Sequence, residues 1–205
     1  MNPLRVRWAN DFVYGGVTIL VGRYDGSITV NTFSIEIGNG SHTRLGKVVA
    51  EALNVPYGMV KVTAPSTDNF QNVTETGGSY TSLTAMRLAA KAAINLKNRL
   101  NQLENKTELS WLDTVRAAFH AGIPLQETVC ERNSNNKDLT ADFHYYAAAL
   151  AVVEVDLLSG EIEIKYHHSI FDLGDPVNLA LELGQIEGGF VMGLGHYKSE
   201  NISQI

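Results

Sequence analysis

The sequence predicts an α+β fold, and three observations predict it. Two β-branched runs near the start flank a strong hairpin turn. The centre carries apolar residues at helical spacing, and a second hairpin precedes a glycine-rich helical stretch. With 205 residues the chain can bury a real hydrophobic core. Apolar residues make up 44% and charged residues 19%, the balance of a folded chain rather than a disordered one. A net charge of −6 argues against nucleic acid or an anionic membrane as a partner held by electrostatics.

The first strand is expected at Val17–Arg23 and the second at Ile28–Ile35, with Asp25-Gly26 turning the chain between them. Arg5 and Arg7 ahead of an apolar run imitate a targeting segment. Gly15-Gly16 break that run and no small-residue cleavage pattern closes it, so a cytoplasmic chain is expected. Leu45, Val48, Val49, Ala52 and Leu53 share one helical face, with Ser41 or Thr43 as the expected cap and Pro56 as the stop. "GMVKVTA" (58–64) reads as a short strand and "STDNFQNVTETGGS" (66–79) as a loop. A long helix from Tyr80 to about Leu103 rests on Leu83, Met86, Ala90, Ala93, Ile94 and Leu100. "SWLDTVRAAFHAG" (110–122) is a shorter helix closed by Gly122, and "NSNNKDLT" (133–140) is a surface loop.

Residues 143–174, "FHYYAAALAVVEVDLLSGEIEIKYHHSIFDLG", form a long hairpin turning at Leu158–Gly160, with Val153, Val155 and Leu157 on one face. "DPVNLALELGQIEGGFVMGLGHYKSEN" (175–201) reads as a helix despite five glycines in residues 184–195. Each glycine costs a helix ~1 kcal/mol against alanine, so a close neighbour of this backbone is expected. The spacings Gly184 to Gly188 and Gly189 to Gly193 match a membrane pairing motif, but the apolar run is far too short to span a bilayer.

Candidate chemistry narrows quickly. The lone Cys130 excludes an internal disulfide and an iron–sulfur cluster held by this chain alone. Its acidic neighbours Glu127 and Glu131 make it a structural rather than a reactive cysteine. His167 and His168 are adjacent in a strand, so they face opposite ways and cannot chelate one ion together. His42, His120, His144 and His196 lack ligand spacing. Glu36 and Glu187 could be paired for acid–base work, yet a strand end and a helix interior suit them better as acceptors for backbone donors.

Three glycine turns share one design. Gly38-Asn39-Gly40 lies between a strand and a helix, Gly77-Gly78 opens a second helix, and the tract from Gly184 occupies a third. Helix N-termini offer unpaired N–H groups and partial positive charge, and glycine lets a ligand reach them. Each alone reads better as an ordinary turn or close helix packing. Together they could cradle one large, polar, anionic cofactor.

"SIEIGNGSHTRLGKVVAEAL" and "DLGDPVNLALELGQIEGGFVMGLG" together resemble the molybdenum-cofactor-binding region of molybdenum hydroxylases, the xanthine dehydrogenase and aldehyde oxidase family, over about residues 17–200. The resemblance implies a mixed sheet packed with helices, and residues 1–205 as one partial molybdopterin-binding domain. It implies a molybdenum-molybdopterin cofactor contacted by Ile37, Gly38, Asn39, Gly78, Ser79, Tyr80, Thr81 and Gln185, with hydroxylation of heterocycles or aldehydes by the complete enzyme. Family members usually carry methionine at Ile37, glutamine at Asn39, proline at Leu179 and glutamine at Met192, and Gly77-Gly78 replaces a usual small pair containing alanine. The family's glutamate base, its FAD and 2Fe-2S domains and its upstream loops are expected outside this chain. The expected partners are therefore the remaining domains or subunits, a heterocycle or aldehyde substrate, and a second copy in a homodimer. Two readings follow: an enzyme part that is inactive alone, or a non-catalytic truncated relative with a binding role.

Overall fold

The computed structural model describes residues 14–70, 72–77, 80–103, 109–132 and 145–200. Strands β1 (Tyr14–Val21), β2 (Ile28–Thr32), β3 (Val60–Val62) and β4 (Gln126–Arg132) form one sheet in the order β3-β2-β1-β4. β1 runs antiparallel to β2 and β4, whereas β3 lies parallel to β2, so the sheet is mixed. Helices α1 (Ser41–Leu53) and α2 (Thr81–Leu100) pack together, α2 lying against β1 and β4 and α1 beside β3.

Alternating apolar residues drive this layer. Val17, Ile19, Ile28 and Val30 of the sheet meet Leu45 and Val49 of α1 and Leu88, Ala89, Ala92 and Leu96 of α2, all fully buried. The alanines let α2 settle close to the strands. Gly15 and Gly16 make room for rings instead: a Cβ at either would overlap the ring of Phe33 or of Phe70. Among the described residues, the whole buried apolar core lies within residues 17–129.

A shorter helix, α3 (Trp111–His120), starts at Ser110, whose side chain accepts the Asp113 N–H at 3.2 Å, and Gly122 follows at φ 73. The helix and its closing Gly122 match the sequence reading, and the Ser110 cap adds to it. Several boundaries differ. β1 begins and ends before the expected span, β2 stops at Thr32, and the strand expected at 58–64 shortens to β3 behind a 3-10 turn at Tyr57–Met59.

β4 is a strand the sequence reading did not assign. Its inward face carries Glu127 and Glu131 beside buried Val129, which hides the apolar alternation. Glu127 pairs with Arg99 and accepts from Asn95 at 3.0 Å, while Glu131 pairs with Lys91 and, at 3.6 Å, with Arg87. All four partners are on α2, so the carboxylates zip strand to helix. Cys130 is exposed between them.

β5 (Tyr146–Val155) and β6 (Ile162–Asp172) form the second hairpin, turning before Gly160 at φ 76, as the sequence reading places it. Its register slips between Val152 and Val153. The expected apolar face buries nothing within the chain: every residue of β5 is exposed, and Leu157 and Leu158 at the turn are 93% and 99% exposed. Helix α4 (Leu179–Lys198) is unbroken by its glycines and has no buried residue. Among the described residues no helix is long and apolar enough to cross a membrane. The loop expected at 133–140 and His144 lie outside the described residues.

Candidate functional site

The heads of three helices meet at one edge. The loop before α1 reaches α2 where the Asn39 amide donates to Ser82 Oγ at 3.3 Å. α1 reaches α4 through Arg44, which donates to Glu182 at 2.7 Å, and Lys47, which donates to the Val177 carbonyl at 3.1 Å. Leu181 of α4 occupies the space beside Gly40. The loop before α1, the start of α2 and the start of α4, far apart in sequence, thus share one neighbourhood, while the glycine tract from Gly184 runs on along α4.

The expected site residues fall into two groups. Ile37 is 69% exposed on this edge, Gly38 is exposed and Asn39 half-buried. Thr81 is buried and its Oγ1 accepts the Gly77 N–H at 3.3 Å, with half-buried Tyr80 just ahead of α2. Gly78 and Ser79 lie outside the described residues. Gln185 stands apart, on α4, lining a groove of about 460 Å³ between α4 and the β5–β6 hairpin with His167, Ser169 and Phe190. Glu182 lines the same groove while pairing with Arg44, which links Gln185 to the α1 edge. His167 stacks on Phe190 with ring centroids 4.0 Å apart, whereas His168 stacks on Tyr166. The two histidines do face opposite ways.

One expectation is corrected at the head of α1. Neither Ser41 nor Thr43 is the cap: the cap position is Gly40 at φ 68, and Ser41 is already helical. Nor are the N–H donors there unpaired. Glu36 Oε1 accepts from Gly38 at 3.0 Å and from Gly40 at 2.9 Å, and Oε2 accepts from His42 at 3.0 Å. Asn39 Oδ1 takes the Ser41 N–H at 3.3 Å. Partial burial alone would raise the Glu36 pKa, but the N–H bonds from His42, Gly40 and Gly38, helped by the His42 charge, hold it below the ordinary 4.5. Glu36 therefore satisfies backbone donors, as its strand-end position suggested, and Glu187 is exposed on α4. The clamp had a visible sequence signal: a glutamate two residues ahead of Gly-x-Gly at a strand-to-helix turn.

The bare glycines test the fit of a cofactor. A Cβ at Gly38, Gly77, Gly184, Gly188, Gly189 or Gly193 would meet no atom within 4 Å. The close neighbour that so many helical glycines call for is thus not among the described residues of this chain. The open backbone of Gly38 and Gly77 beside the α1 and α2 heads suits a flat, polar group lying against it, whereas the four open glycines of α4 lie within that helix. Among the described residues no three His, Cys, Asp or Glu side chains gather, so a metal here would have to bring its own ligands.

Fold and site together define an α+β domain with three helix heads gathered at one edge and the open backbone of Gly38 among them. The chain belongs to the family of molybdopterin cofactor-binding domains, whose model matches residues 5–204. It is 33% identical to aldehyde oxidase 1 of Oryctolagus cuniculus, covering 96% of this chain and 15% of that protein. It is 30% identical to xanthine dehydrogenase/oxidase of Felis catus, covering 87% of this chain and 14% of that protein. Its fold matches quinoline 2-oxidoreductase from Pseudomonas putida 86 with a TM-score of 0.72 at 21% identity, over 94% of this chain and 27% of that one. CO dehydrogenase from Oligotropha carboxidovorans matches with a TM-score of 0.75 at 18% identity, over 94% and 27%. The chain therefore spans about 15% of the length of the curated relatives it matches.

Proposed function

We propose that this chain forms one wall of the molybdenum-cofactor site in a cytoplasmic oxidoreductase of the aldehyde oxidase and xanthine dehydrogenase type. The observation that carries the proposal is the meeting of the α1, α2 and α4 heads around glycines whose missing Cβ atoms face open space. The cofactor, when bound, supplies the redox-active metal for hydroxylating an aldehyde or a heterocycle. The chain's own residues bind and orient it. Gly38 and Gly77 allow close approach of a ring system, Ile37 offers apolar contact, and Asn39, Tyr80 and Thr81 border the same edge. Gln185 contributes an amide from the groove, and Gly78 and Ser79 are cofactor contacts in the same reading. The remaining domains or subunits supply the base, the substrate pocket and the FAD and 2Fe-2S electron outlet, and a second copy in a homodimer is part of the same reading.

Metal analysis tests this. The protein is purified alone and together with the cellular partners it recruits, and molybdenum is measured by mass spectrometry. Stoichiometric molybdenum is expected in the assembled protein, reduced by Gln185→Ala. An assembled protein free of molybdenum would instead make the chain a non-catalytic relative with a binding role.

A further inference from the structure

We infer that Glu36 is a built-in anion that fills the head of α1, holding Gly38, Asn39 and Gly40 in shape and closing that head to any phosphate group. The inference rests on the cofactor-site reading for its importance, though not for its test. Three backbone N–H groups that would otherwise form an anion seat all donate to one carboxylate: Gly38 at 3.0 Å, Gly40 at 2.9 Å and His42 at 3.0 Å. A fourth donor, Ser41 N–H, is taken by Asn39 Oδ1 at 3.3 Å. Each donor satisfied this way is unavailable to a ligand.

The bonding pattern explains the loop's backbone. Gly38 at φ 90 and Gly40 at φ 68 turn the chain so that alternate N–H groups converge on Glu36. The intervening Asn39 is thereby held with its Oδ1 on Ser41 and its Nδ2 on Ser82. Glu36 is a positioning residue: it fixes Asn39 and the bare face of Gly38 rather than touching a ligand itself. A cofactor at this edge meets side-chain amides and open glycine backbone, and its anionic group must be held elsewhere.

Backbone-resolved NMR of the full chain tests both halves, with Glu36→Gln and Glu36→Ala beside the wild type and inorganic phosphate as probe. Each lost bond to a charged acceptor speeds amide exchange roughly tenfold. In Glu36→Ala the amides of residues 38, 40 and 42 are expected to lose protection together. In Glu36→Gln the amide oxygen still accepts from residues 38 and 40, so only residue 42 is lost. Val48 and Val49 in mid-helix should be unchanged in both variants, which separates positioning from general loosening. Phosphate should leave wild-type residues 38–42 unshifted and should shift them saturably in Glu36→Ala. Unchanged protection in Glu36→Ala, or saturable phosphate shifts in the wild type, would overturn the inference. A chain that never holds molybdenum would sink the cofactor reading and leave these results untouched.

Discussion

Gly38 and Gly40 are two residues apart, both with positive φ, at 90 and 68, yet alanine should affect them differently. At Gly38 the new methyl meets open space, so backbone strain of about 1–3 kcal/mol is the whole effect. At Gly40 the same strain is joined by overlap with Leu181, so Gly40→Ala should lower the midpoint of urea unfolding further than Gly38→Ala. Equal midpoints would mean that Leu181 swings aside freely. Glu36 gives a pH prediction. Its folded pKa lies below the ordinary 4.5, so its stabilisation is complete above that value and fades as pH falls through the folded pKa. Glu36→Gln should flatten the part of the acid limb below about 4.5 in a thermal-melt series, and an unchanged limb would assign the loss to other carboxylates. Gln185→Ala, made in a complete enzyme carrying this segment, should cut activity without changing the melt. Losing one positioned donor in a dry site removes ~2.7–4 kcal/mol of transition-state stabilisation. Full turnover at full metal occupancy would leave Gln185 as a helix residue only.

At the scale of elements, α4 is joined to α1 by few links, chiefly Arg44–Glu182, Lys47 to the Val177 carbonyl, and Leu181 against Gly40. A double-mutant cycle on Arg44 and Glu182, both largely buried, should give a coupling of about 1 kcal/mol. A coupling near zero would mean that α4 is held by Leu181 instead. Much of this layout was legible in the sequence, because periodicity and turn chemistry are local. Asp25-Gly26, Gly122 behind α3 and the turn before Gly160 all lie where their residues alone put them, whereas α2 buries Ala85, Leu88, Ala89, Ala92 and Leu96 and leaves Ile94, expected on its inner face, exposed. β4 was not legible, since Glu127 and Glu131 look outward-facing until α2 supplies Arg99 and Lys91. The α1 cap was missed for a related reason: the acceptor comes from Glu36, upstream of the helix, instead of from Ser41 or Thr43. The meeting of three helix heads is a tertiary fact that no local pattern contains; the shared glycine design suggested a common cradle, and the resemblance named its occupant.

For the whole molecule, the exposed leucines of the hairpin turn, the open face of β5 and the bare α4 make one prediction. The isolated chain should bind apolar dye and self-associate in sedimentation, and a dye-silent monomer would show that these faces are closed by some rearrangement. Supplied with molybdenum cofactor, an aldehyde, a purine and an artificial electron acceptor, the isolated chain should give no turnover above the cofactor-only control. Lack of a general base alone loses a factor of about 10²–10⁴. Turnover would point to Glu36 or Glu187 as a base already present. The confinement of the buried core to residues 17–129 has a further consequence, for the order in which the protein is made. Synthesis runs from the N-terminus, so the four-stranded sheet and its helices can close before the β5–β6 hairpin and α4 are made. The glycine helix α4, which buries no residue of its own, then follows a core that can already be closed.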